Sequence, residues 1–308
     1  MNGLISHEML KYSAVITSFN SENTIVKAFE SVFYQEIPPV EILLIDDNSQ
    51  DSTVAIARNF QRKNQKLQII VNDNNKGQAF NRNLAAKLAK SEYLIFFDDD
   101  DFSLSFRSTL HANHFISGSD ISFVSSVKKY PKGFEAEFIN RNITMNPSVN
   151  ELIKLLILGL KLDSFSGVYI PASTCAVSKA ALMSVDGFDQ SLRRLEDIDL
   201  AIRFGLNGYK FSWSSEVGVI RTHTENTFKG KGIDSLFEEV LINKFKHLIN
   251  KKDFDTAIIH MQTRKLYFSQ NYRAFLFHIL KNPRYSFNSI LRGRRLIKRL
   301  YHDFRKSK

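Results

Sequence analysis

Apolar runs alternate with amphipathic stretches over the first hundred residues. The runs are almost continuous in aliphatic, β-branched and aromatic residues, which indicates strands buried on both faces. The predicted strands are residues 12–18, 40–49, 67–71 and 93–97. The stretches between them have apolar residues at helical spacing, and the predicted helices are residues 21–35, 51–60 and 78–89. This alternation predicts an α/β fold with a mostly parallel central sheet flanked by helices.

The second half of the chain has a less regular pattern. The predicted strands or extended segments are residues 121–127, 134–139 and 167–178. The predicted helices lie at 150–160 and within 186–208, and helical spacing resumes after residue 223. A stretch rich in glycine and lysine, 228–232, indicates a domain boundary near residue 230.

The net charge of +10 comes from the end of the chain. Residues 261–308 contain thirteen Lys or Arg and one acidic residue, a net charge of +12, so residues 1–260 sum to −2. The single cysteine, Cys175, excludes an intrachain disulfide and is expected to be a small buried apolar residue. No signal sequence and no apolar run of about 20 residues is evident. We therefore expect a cytoplasmic protein, or one attached to the inner face of the cell membrane.

Polar residues gather where the predicted strands end. Residues 17–20 close the first strand, Asp46 and Asp47 close the second, and four consecutive aspartates, 98–101, follow the fourth. Ligands of open α/β sheets bind beyond the carboxyl ends of the strands. Three polar clusters at one edge of one sheet therefore predict a nucleotide-type crevice.

The run of aspartates at 98–101 has two interpretations. Adjacent carboxylates repel one another unless a cation lies among them, and oxygen-only ligands suit Mg²⁺ or Mn²⁺ bridging a substrate diphosphate. The other interpretation is a solvated turn or a helix N-terminus, where acids are common. The fully apolar strand before the run favours the metal site.

Three further groups are candidate site residues, and each has a plainer interpretation. Arg82, in a predicted helix, suits phosphate or nucleobase binding, or it is an ordinary exposed arginine. Glu196, Asp197 and Asp199 begin a predicted helix, where capping and the helix dipole alone favour acids. His223 is a metal or phosphate ligand, or a polar loop residue.

In combination these segments resemble the family 2 glycosyltransferases. The segments that carry the resemblance are 14–35, 41–57, 74–101 and 187–204, in the order and spacing of the family. The resemblance implies a GT-A fold with a Rossmann-like nucleotide-binding half. It places a catalytic domain at residues 1–230, divided into a nucleotide-sugar half at 12–101 and an acceptor half at 102–230. Residues 231–308 would form a basic, helical C-terminal extension.

The resemblance implies a nucleotide-sugar site in the first half. Thr17 and Phe19 would line the nucleotide pocket, and Asp47 would hydrogen-bond the base, which is uracil for a UDP-sugar. Arg82 would help to hold the nucleotide, and Asp101 would face the donor sugar. The implied donor-site residues are Thr17, Phe19, Asp47, Arg82, Asp98, Asp99 and Asp101.

The resemblance also implies a divalent metal, Mn²⁺ or Mg²⁺. Asp98 and Asp100 are the ends of an Asp-x-Asp motif, with Asp100 in direct contact with the metal. His223 matches a late histidine that some members place near the metal or the diphosphate. The implied metal ligands are therefore Asp100, Asp98 and His223.

The implied reaction is inversion in one step. Asp197 matches the catalytic base, which removes a proton from the acceptor hydroxyl as that hydroxyl attacks the anomeric carbon. Glu196 and Asp199 would orient the acceptor, or only stabilise the start of the helix. The implied acceptor is a glycan or a lipid-linked saccharide in bacterial surface-polysaccharide synthesis.

Two departures from the family pattern refine these expectations. Asn48 stands where the family has glycine in an Asp-Asp-Gly-Ser turn, and asparagine tolerates the left-handed conformation nearly as well. No Gln-x-x-Arg-Trp motif, which is typical of the processive members of the family, follows the Glu-Asp pair. Its absence predicts transfer of one sugar per acceptor. A nucleotidyltransferase, or a non-catalytic module that binds nucleotide sugars, remains the alternative.

The basic tail, residues 264–308, interleaves Lys and Arg with aromatic and aliphatic residues. Such a segment suits the surface of an anionic membrane, near which each basic residue adds about 1 kcal/mol of attraction. The alternative is a helical subdomain packed on the catalytic core. No motif supports binding of nucleic acid, and none is expected.

Overall fold

Four strands alternate with three helices in the first hundred residues, as predicted. The computed structural model describes residues 10–130, 133–140, 142–157, 170–222, 233–269 and 271–282. The first four strands are β1 (Tyr12–Ser18), β2 (Glu41–Asp46), β3 (Leu67–Val71) and β4 (Tyr93–Asp98). The helices between them are α1 (Ile25–Phe33), α2 (Thr53–Gln61) and α3 (Gln78–Leu88).

These four strands are parallel and lie in the order β3-β2-β1-β4. In this register Thr17 pairs with Ile45 on one side and with Asp98 on the other. Ser18 pairs with Asp46. The polar clusters that end β1, β2 and β4 therefore lie side by side at one edge of the sheet, as the sequence predicted.

The apolar periodicities explain how the helices cover this sheet. Alternate residues of β1 (Tyr12, Ala14 and Ile16) join the core cluster that contains Ile25 and Phe29 of α1. Helix α3 also packs on β1 and β2. Its buried alanines lie outside that cluster, which places α3 on the other face of the sheet.

The second half extends the same sheet with strands of both directions. Its strands are β5 (Phe102–Ser103), β6 (Ile121–Tyr130), β7 (Gly133–Phe138), β8 (Ile143–Met145), β9 (Cys175–Ser178) and β10 (Phe211–Thr222). Its helices are α4 (Arg107–Ile116), α5 (Val149–Leu152), α6 (Lys179–Ser184) and α7 (Glu196–Leu206). The sheet continues β4-β9-β6-β10-β5, with β9 antiparallel to both of its neighbours and β10 parallel to β6.

Several elements of the second half differ from the prediction. The short strands β5 and β8, the long strand β10 and the helices α4 and α6 were not predicted. Helix α4 buries Arg107, Ser108 and His111 together with Ala112 and Phe115, so its inward face mixes polar and apolar residues and gives no clear apolar periodicity. The helix predicted at 150–160 begins at Val149 but continues as a π turn, Ile153–Ile157, and the rest of it lies outside the described residues.

One further element is shorter than expected, and one begins where it was predicted. Within the segment predicted to be extended, 167–178, a 3-10 turn (Ala172–Thr174) precedes the short strand β9. Residues 167–169 of this segment lie outside the described part of the chain. Helix α7 begins at Glu196, as predicted, because the residues before it form turns. Cys175 is buried and free, as predicted.

The chain divides into two compact units. The first comprises Met1–Leu152 and Leu162–Glu225, and the second comprises Ile153–Lys161 and Asn226–Lys308. The described part of the second unit after residue 232 is helical, as predicted, with α8 (Ile233–Lys244), α9 (Lys251–Phe268) and α10 (Tyr272–Lys281). The boundary predicted near residue 230 falls outside the described residues. Among the described residues, no helix combines the length and apolarity needed to cross a membrane.

Candidate active site

The acidic cluster lies at the carboxyl end of β4. One carboxylate oxygen from each of Asp98, Asp100 and Asp101 lies within 4.8 Å of the other two. Burial, and then the charges of Asp98 and Asp100, raise the pKa of Asp101 well above its usual value. Three hard oxygen donors at this separation, with mutual repulsion that a cation would relieve, fit Mg²⁺ or Mn²⁺. The prediction had grouped Asp98 and Asp100 with His223, and His223 lies outside the described residues.

Two aspartates of the run 98–101 accept hydrogen bonds from neighbouring segments of the chain. Asp99 accepts a hydrogen bond from the backbone N–H of Phe19 at 3.0 Å and another from the hydroxyl of Ser21. Burial raises the pKa of Asp99 to about 7. Asp101 accepts a bond from the backbone N–H of Thr222 at 3.4 Å, and its Oδ2 lies 3.7 Å from Nε of Arg221. The cluster is thus tied to the loop after β1 and to the end of β10.

Arg82 connects this cluster to the start of α7. Its side chain is buried, and its Nη2 donates to Oδ1 of Asp98 at 3.2 Å while its Nη1 donates to Oε1 of Glu196 at 2.8 Å. Burial alone would lower the pKa of Arg82, but the charges of Asp98 and Glu196 raise it above its usual value. The interpretation of Arg82 as an ordinary exposed arginine is therefore wrong. One guanidinium holds carboxylates from both halves of the catalytic unit.

Asn83, the next residue of α3, fixes the segment that leads into α7. Its Nδ2 donates to the carbonyl of Phe188 and its Oδ1 accepts from the N–H of Phe188, both at 2.7 Å. Gly187 adopts a φ of +69°, and a Cβ atom there would lie 2.3 Å from Oδ1 of Asn83. Only glycine allows this close approach. These two hydrogen bonds therefore fix the turn before α7 to helix α3.

Asp197 lies in the first turn of α7. The preceding residue, Leu195, has a left-handed φ of 65°, which is costly for a leucine and sets the direction in which the helix begins. The Asp197 side chain is partly exposed, and its Oδ1 accepts the N–H of Ile198 at 2.8 Å. Burial, and then the charge of Glu196, raise the pKa of Asp197 to about 7, against the opposing effect of Arg82. An accessible carboxylate with this pKa suits a proton acceptor near neutral pH.

A family comparison now identifies the protein class. The model of Glycosyl transferase family 2 matches residues 13–180, which include β1 to β4 and the acidic cluster. The chain belongs to the family 2 glycosyltransferases. It is therefore a glycosyltransferase enzyme, and the nucleotidyltransferase alternative is set aside. The match ends before Asp197, so the family model does not reach the proposed base.

Curated relatives of this glycosyltransferase act on lipid-linked or polymeric acceptors. The GalNAc(5)-diNAcBac-PP-undecaprenol beta-1,3-glucosyltransferase of Campylobacter jejuni is 35% identical over 98 residues, which are 32% of each chain. The UDP-Glc:alpha-D-GlcNAc-diphosphoundecaprenol beta-1,3-glucosyltransferase WfaP of Escherichia coli is 32% identical over 122 residues, 40% of this chain and 47% of WfaP. The matched segment thus spans less than half of either relative.

Solved structures establish the fold of this glycosyltransferase. S. aureus TarS in complex with UDP-GlcNAc superposes with a TM-score of 0.62 at 20% identity, over 84% of this chain and 73% of that one. The mannosyltransferase PcManGT from Pyrobaculum calidifontis, in complex with GDP-Man and Mn²⁺, has a TM-score of 0.59 at 14% identity, over 89% and 76% of the two chains. The fold is GT-A, as the resemblance implied.

The remaining predicted donor-site residues line the same edge of the sheet. Asp47 is buried, and its carboxylate accepts the N–H groups of Lys76 and Gly77 at 2.8 and 2.9 Å. Asp47 therefore holds the loop before α3, and its contact with a base stays a prediction. Thr17 is buried at the end of β1, whereas the ring of Phe19 is 48% exposed. Asn48 has a φ of 67°, which confirms its expected left-handed conformation.

The structure separates the acids of α7 by their surroundings. Asp199 is fully buried, and its Oδ2 accepts from Nε of Arg203 at 2.7 Å, one helical turn away. Glu196 is also buried, on Arg82. The geometry of Asp199 is that of a structural carboxylate that anchors the start of the helix. Asp197 is the partly exposed member of the three.

Sequence reasoning missed two buried polar residues that organise the site. One is Asn83. The other is Arg107, which donates to the carbonyl of Phe96 at 2.8 Å and to the hydroxyl of Ser103 at 2.9 Å, directly beneath the end of β4. Burial lowers the pKa of Arg107 to about 10. The sequence offered no signal for Arg107, because the inward face of the helix that carries it mixes polar and apolar residues.

Proposed function

We propose that this glycosyltransferase transfers one sugar from a UDP-sugar to a hydroxyl group of a glycan or lipid-linked acceptor, with inversion at the anomeric carbon. The proposed role is a step in bacterial surface-polysaccharide synthesis. Two observations about other proteins support it. The name of WfaP specifies a UDP-Glc donor and a diphosphoundecaprenol acceptor, and TarS was crystallised with UDP-GlcNAc.

A single contact in this chain carries the proposal. Arg82 holds Asp98 of the acidic cluster with one nitrogen and Glu196 with another. Since Glu196 is the neighbour of Asp197, this guanidinium keeps the proposed base close to the proposed donor site. A transferase requires both groups in one place, because the base must reach the hydroxyl that attacks the donor sugar.

The acidic cluster would hold the divalent metal. Asp98 and Asp100 are the proposed ligands, Asp101 lies within the same group of oxygens, and His223 is kept as a proposed ligand. When bound, the metal supplies Lewis-acid neutralisation of the charge that develops on the departing diphosphate. Thr17, Phe19 and Asp47 would line the nucleotide pocket, with Asp99 supporting the loop that carries Phe19.

Asp197 would accept the proton of the acceptor hydroxyl. A base must be ionised to act, and the pKa of Asp197, raised by burial to about 7, makes it a stronger base than an ordinary aspartate. Glu196, fixed by Arg82, would keep the first turn of α7 in place and face the acceptor side. Asp199 is assigned no acceptor contact in this proposal, because it is fully buried on Arg203.

The test is a thermal-shift panel of nucleoside diphosphates and nucleotide sugars, each with and without Mn²⁺. A ligand at 100 times its Kd stabilises the folded state by about 2.7 kcal/mol, which raises Tm by several degrees. We expect UDP and one UDP-sugar to stabilise the wild type only with metal. Asp100→Ala should abolish that stabilisation.

Glu92→Ala is the matched control. Glu92 is an exposed acid immediately before β4, about 20 Å of strand away from the acidic cluster. This variant should keep the wild-type response. Stabilisation by guanine nucleotides in place of UDP would contradict the proposed donor. A folded wild type that responds to no nucleotide under any metal would leave the non-catalytic module as the better description.

A further inference from the structure

Helix α10 exposes large apolar side chains on its outer face. Leu276, Phe277 and Leu280 are 58%, 70% and 77% exposed. Phe275, on the opposite side of the helix, is only 3% exposed, and α10 packs on α9. A surface helix ordinarily has one apolar stripe, which faces the core, and a polar outer face. Helix α10 has apolar residues on both, so its outer face is suited to contact something other than water.

Basic residues frame this outer face. Arg273 and Lys281 are exposed, and each lies four residues from Phe277, so both fall on the same side of the helix as Phe277. Leu276 and Leu280 are also four residues apart and lie beside them. The outer face of this ten-residue helix therefore presents three large apolar side chains, with one long cationic side chain toward each end of the helix.

The chain segments that precede and follow α10 carry charge of one sign. Between Asp255 and Asp303 the sequence contains ten Lys or Arg and no acidic residue. An electropositive segment of this length attracts an anionic surface. It also opposes contact with a second copy of the same face, because the two faces would carry the same charge. A nucleic acid would pair with the positive charge but would leave the three large apolar side chains exposed to water.

We propose that the outer face of α10 docks on an anionic lipid bilayer. Leu276, Phe277 and Leu280 would enter the boundary between headgroups and acyl chains, while Arg273 and Lys281 would reach the lipid phosphates. An anionic bilayer is the partner that offers an apolar layer directly beneath a layer of negative charge. This inference goes beyond the sugar-transfer proposal and is independent of it.

The first experiment is co-sedimentation of the full chain with vesicles of phosphatidylcholine alone, or mixed with phosphatidylglycerol. We expect binding to the anionic vesicles only. The triple variant L276S/F277S/L280S should bind them at least about tenfold more weakly, since it loses most of the buried apolar area. The control Ile116→Ser removes a residue that is 50% exposed on α4, in the other unit, and should bind as the wild type does.

Two outcomes of this experiment would overturn the proposal. If the triple variant bound anionic vesicles as well as the wild type did, the basic residues alone would account for binding and the α10 face would have no part in it. If the wild type were an oligomer and the triple variant a monomer by light scattering, the face would be an interface between copies. Unchanged circular dichroism and an unchanged thermal shift with nucleotide would show that the variant folds and keeps its donor site.

A second experiment locates the contact directly. Cys175 is only 2% exposed, so Phe277→Cys provides one reactive thiol for an environment-sensitive fluorophore. With anionic vesicles, the emission of this probe should shift to the blue and rise in intensity. The same probe at Ile116→Cys should show no shift. An unshifted probe at residue 277, on protein that sediments with the vesicles, would contradict insertion of this face.

Discussion

Two acids on the donor side of the catalytic unit and two on its acceptor side are held by different means. On the donor side, Asp47 and Asp99 accept hydrogen bonds from neutral groups, namely backbone N–H groups and a hydroxyl. On the acceptor side, Glu196 and Asp199 are each bonded to a guanidinium. A neutral donor fixes the position of a carboxylate but leaves its charge uncompensated. An arginine fixes the position and also compensates the charge.

This difference has a consequence for the chemistry of each side. Burial raises the pKa of Asp99 to about 7, with the charges of Asp100 and Asp98 acting in the same direction, so the ionised form of this carboxylate is disfavoured until a cation lies nearby. Such a site gains free energy when a cation binds. On the acceptor side, Arg82 and Arg203 bind the two buried acids of α7, and Asp197 is the partly exposed acid of the three, which we propose as the base. Arg82 is the residue where the two sides meet.

The largest expected effect on stability comes from breaking that connection. Arg82→Met should destabilise the protein by about 3–5 kcal/mol, because it leaves Asp98 and Glu196 without their shared buried cation. Urea unfolding monitored by circular dichroism measures the free energy of unfolding. The matched control is Arg58→Met, since Arg58 is exposed on α2 and the change should stay within about 0.5 kcal/mol. Equal stabilities of the two variants would mean that Arg82 does not join the two sides.

A smaller effect is expected from releasing the turn before α7. Asn83→Ala removes both hydrogen bonds to the backbone of Phe188 and should cost about 1–3 kcal/mol. Because this turn leads to Asp197, kcat should fall while the thermal shift with UDP and Mn²⁺ is kept. Asn113→Ala, at an exposed position of α4, is the control and should change neither quantity. Loss of nucleotide binding in Asn83→Ala would show that the turn serves the donor side instead.

The smallest expected effect tests the donor-side turn after β2. Asn48 has a φ of 67°, a conformation that costs a β-branched residue about 1–2 kcal/mol. Asn48→Val should therefore lower the free energy of unfolding by about that amount, whereas Asn48→Gly should leave it nearly unchanged. Thermal denaturation of both variants measures the difference. If valine were tolerated as well as glycine, the left-handed turn would not be a requirement of this site.

The sequence predicted the donor side well because its signals are local. Buried parallel strands are continuous apolar runs, so β1 to β4 and the acids at their ends could be placed by pattern alone. The left-handed turn at Asn48 was expected from the family resemblance, because asparagine stands where the family has glycine and tolerates this conformation nearly as well. The family resemblance then connected these local signals to the chemistry of a nucleotide-sugar site.

The acceptor side was harder to predict because its order depends on distant contacts. Arg82 and Glu196 are 114 residues apart in the chain, and nothing near either residue indicates that they pair. Asn83 contacts Phe188 across a similar distance. Arg107 lies on a helix whose buried face mixes polar and apolar residues, so the sequence pattern indicates neither the helix nor the role of Arg107. Apart from the family resemblance, the acids of α7 look alike in sequence, and the structure separates them because Asp199 is fully buried on Arg203 whereas Asp197 is partly exposed.

The most direct test of the account is the pH dependence of sugar transfer by the wild type and Asp197→Asn, with Glu92→Gln as the control. The base must be ionised, so kcat/KM of the wild type should fall about tenfold per pH unit below about pH 7, the raised pKa of Asp197. Asp197→Asn should lower kcat by about 10²–10⁴-fold, and its residual rate should lack that dependence.

Stability measurements should accompany this test. A pKa raised from the usual value means that folding disfavours the ionised carboxylate, so stability decreases as pH rises from the unfolded pKa to about 7. Above about pH 7, Asp197→Asn should therefore be at least as stable as the wild type, which separates lost chemistry from lost folding. A slow but stable variant with a flat pH profile is the predicted result. A variant that keeps the wild-type rate and profile would contradict the assignment of Asp197 as the base.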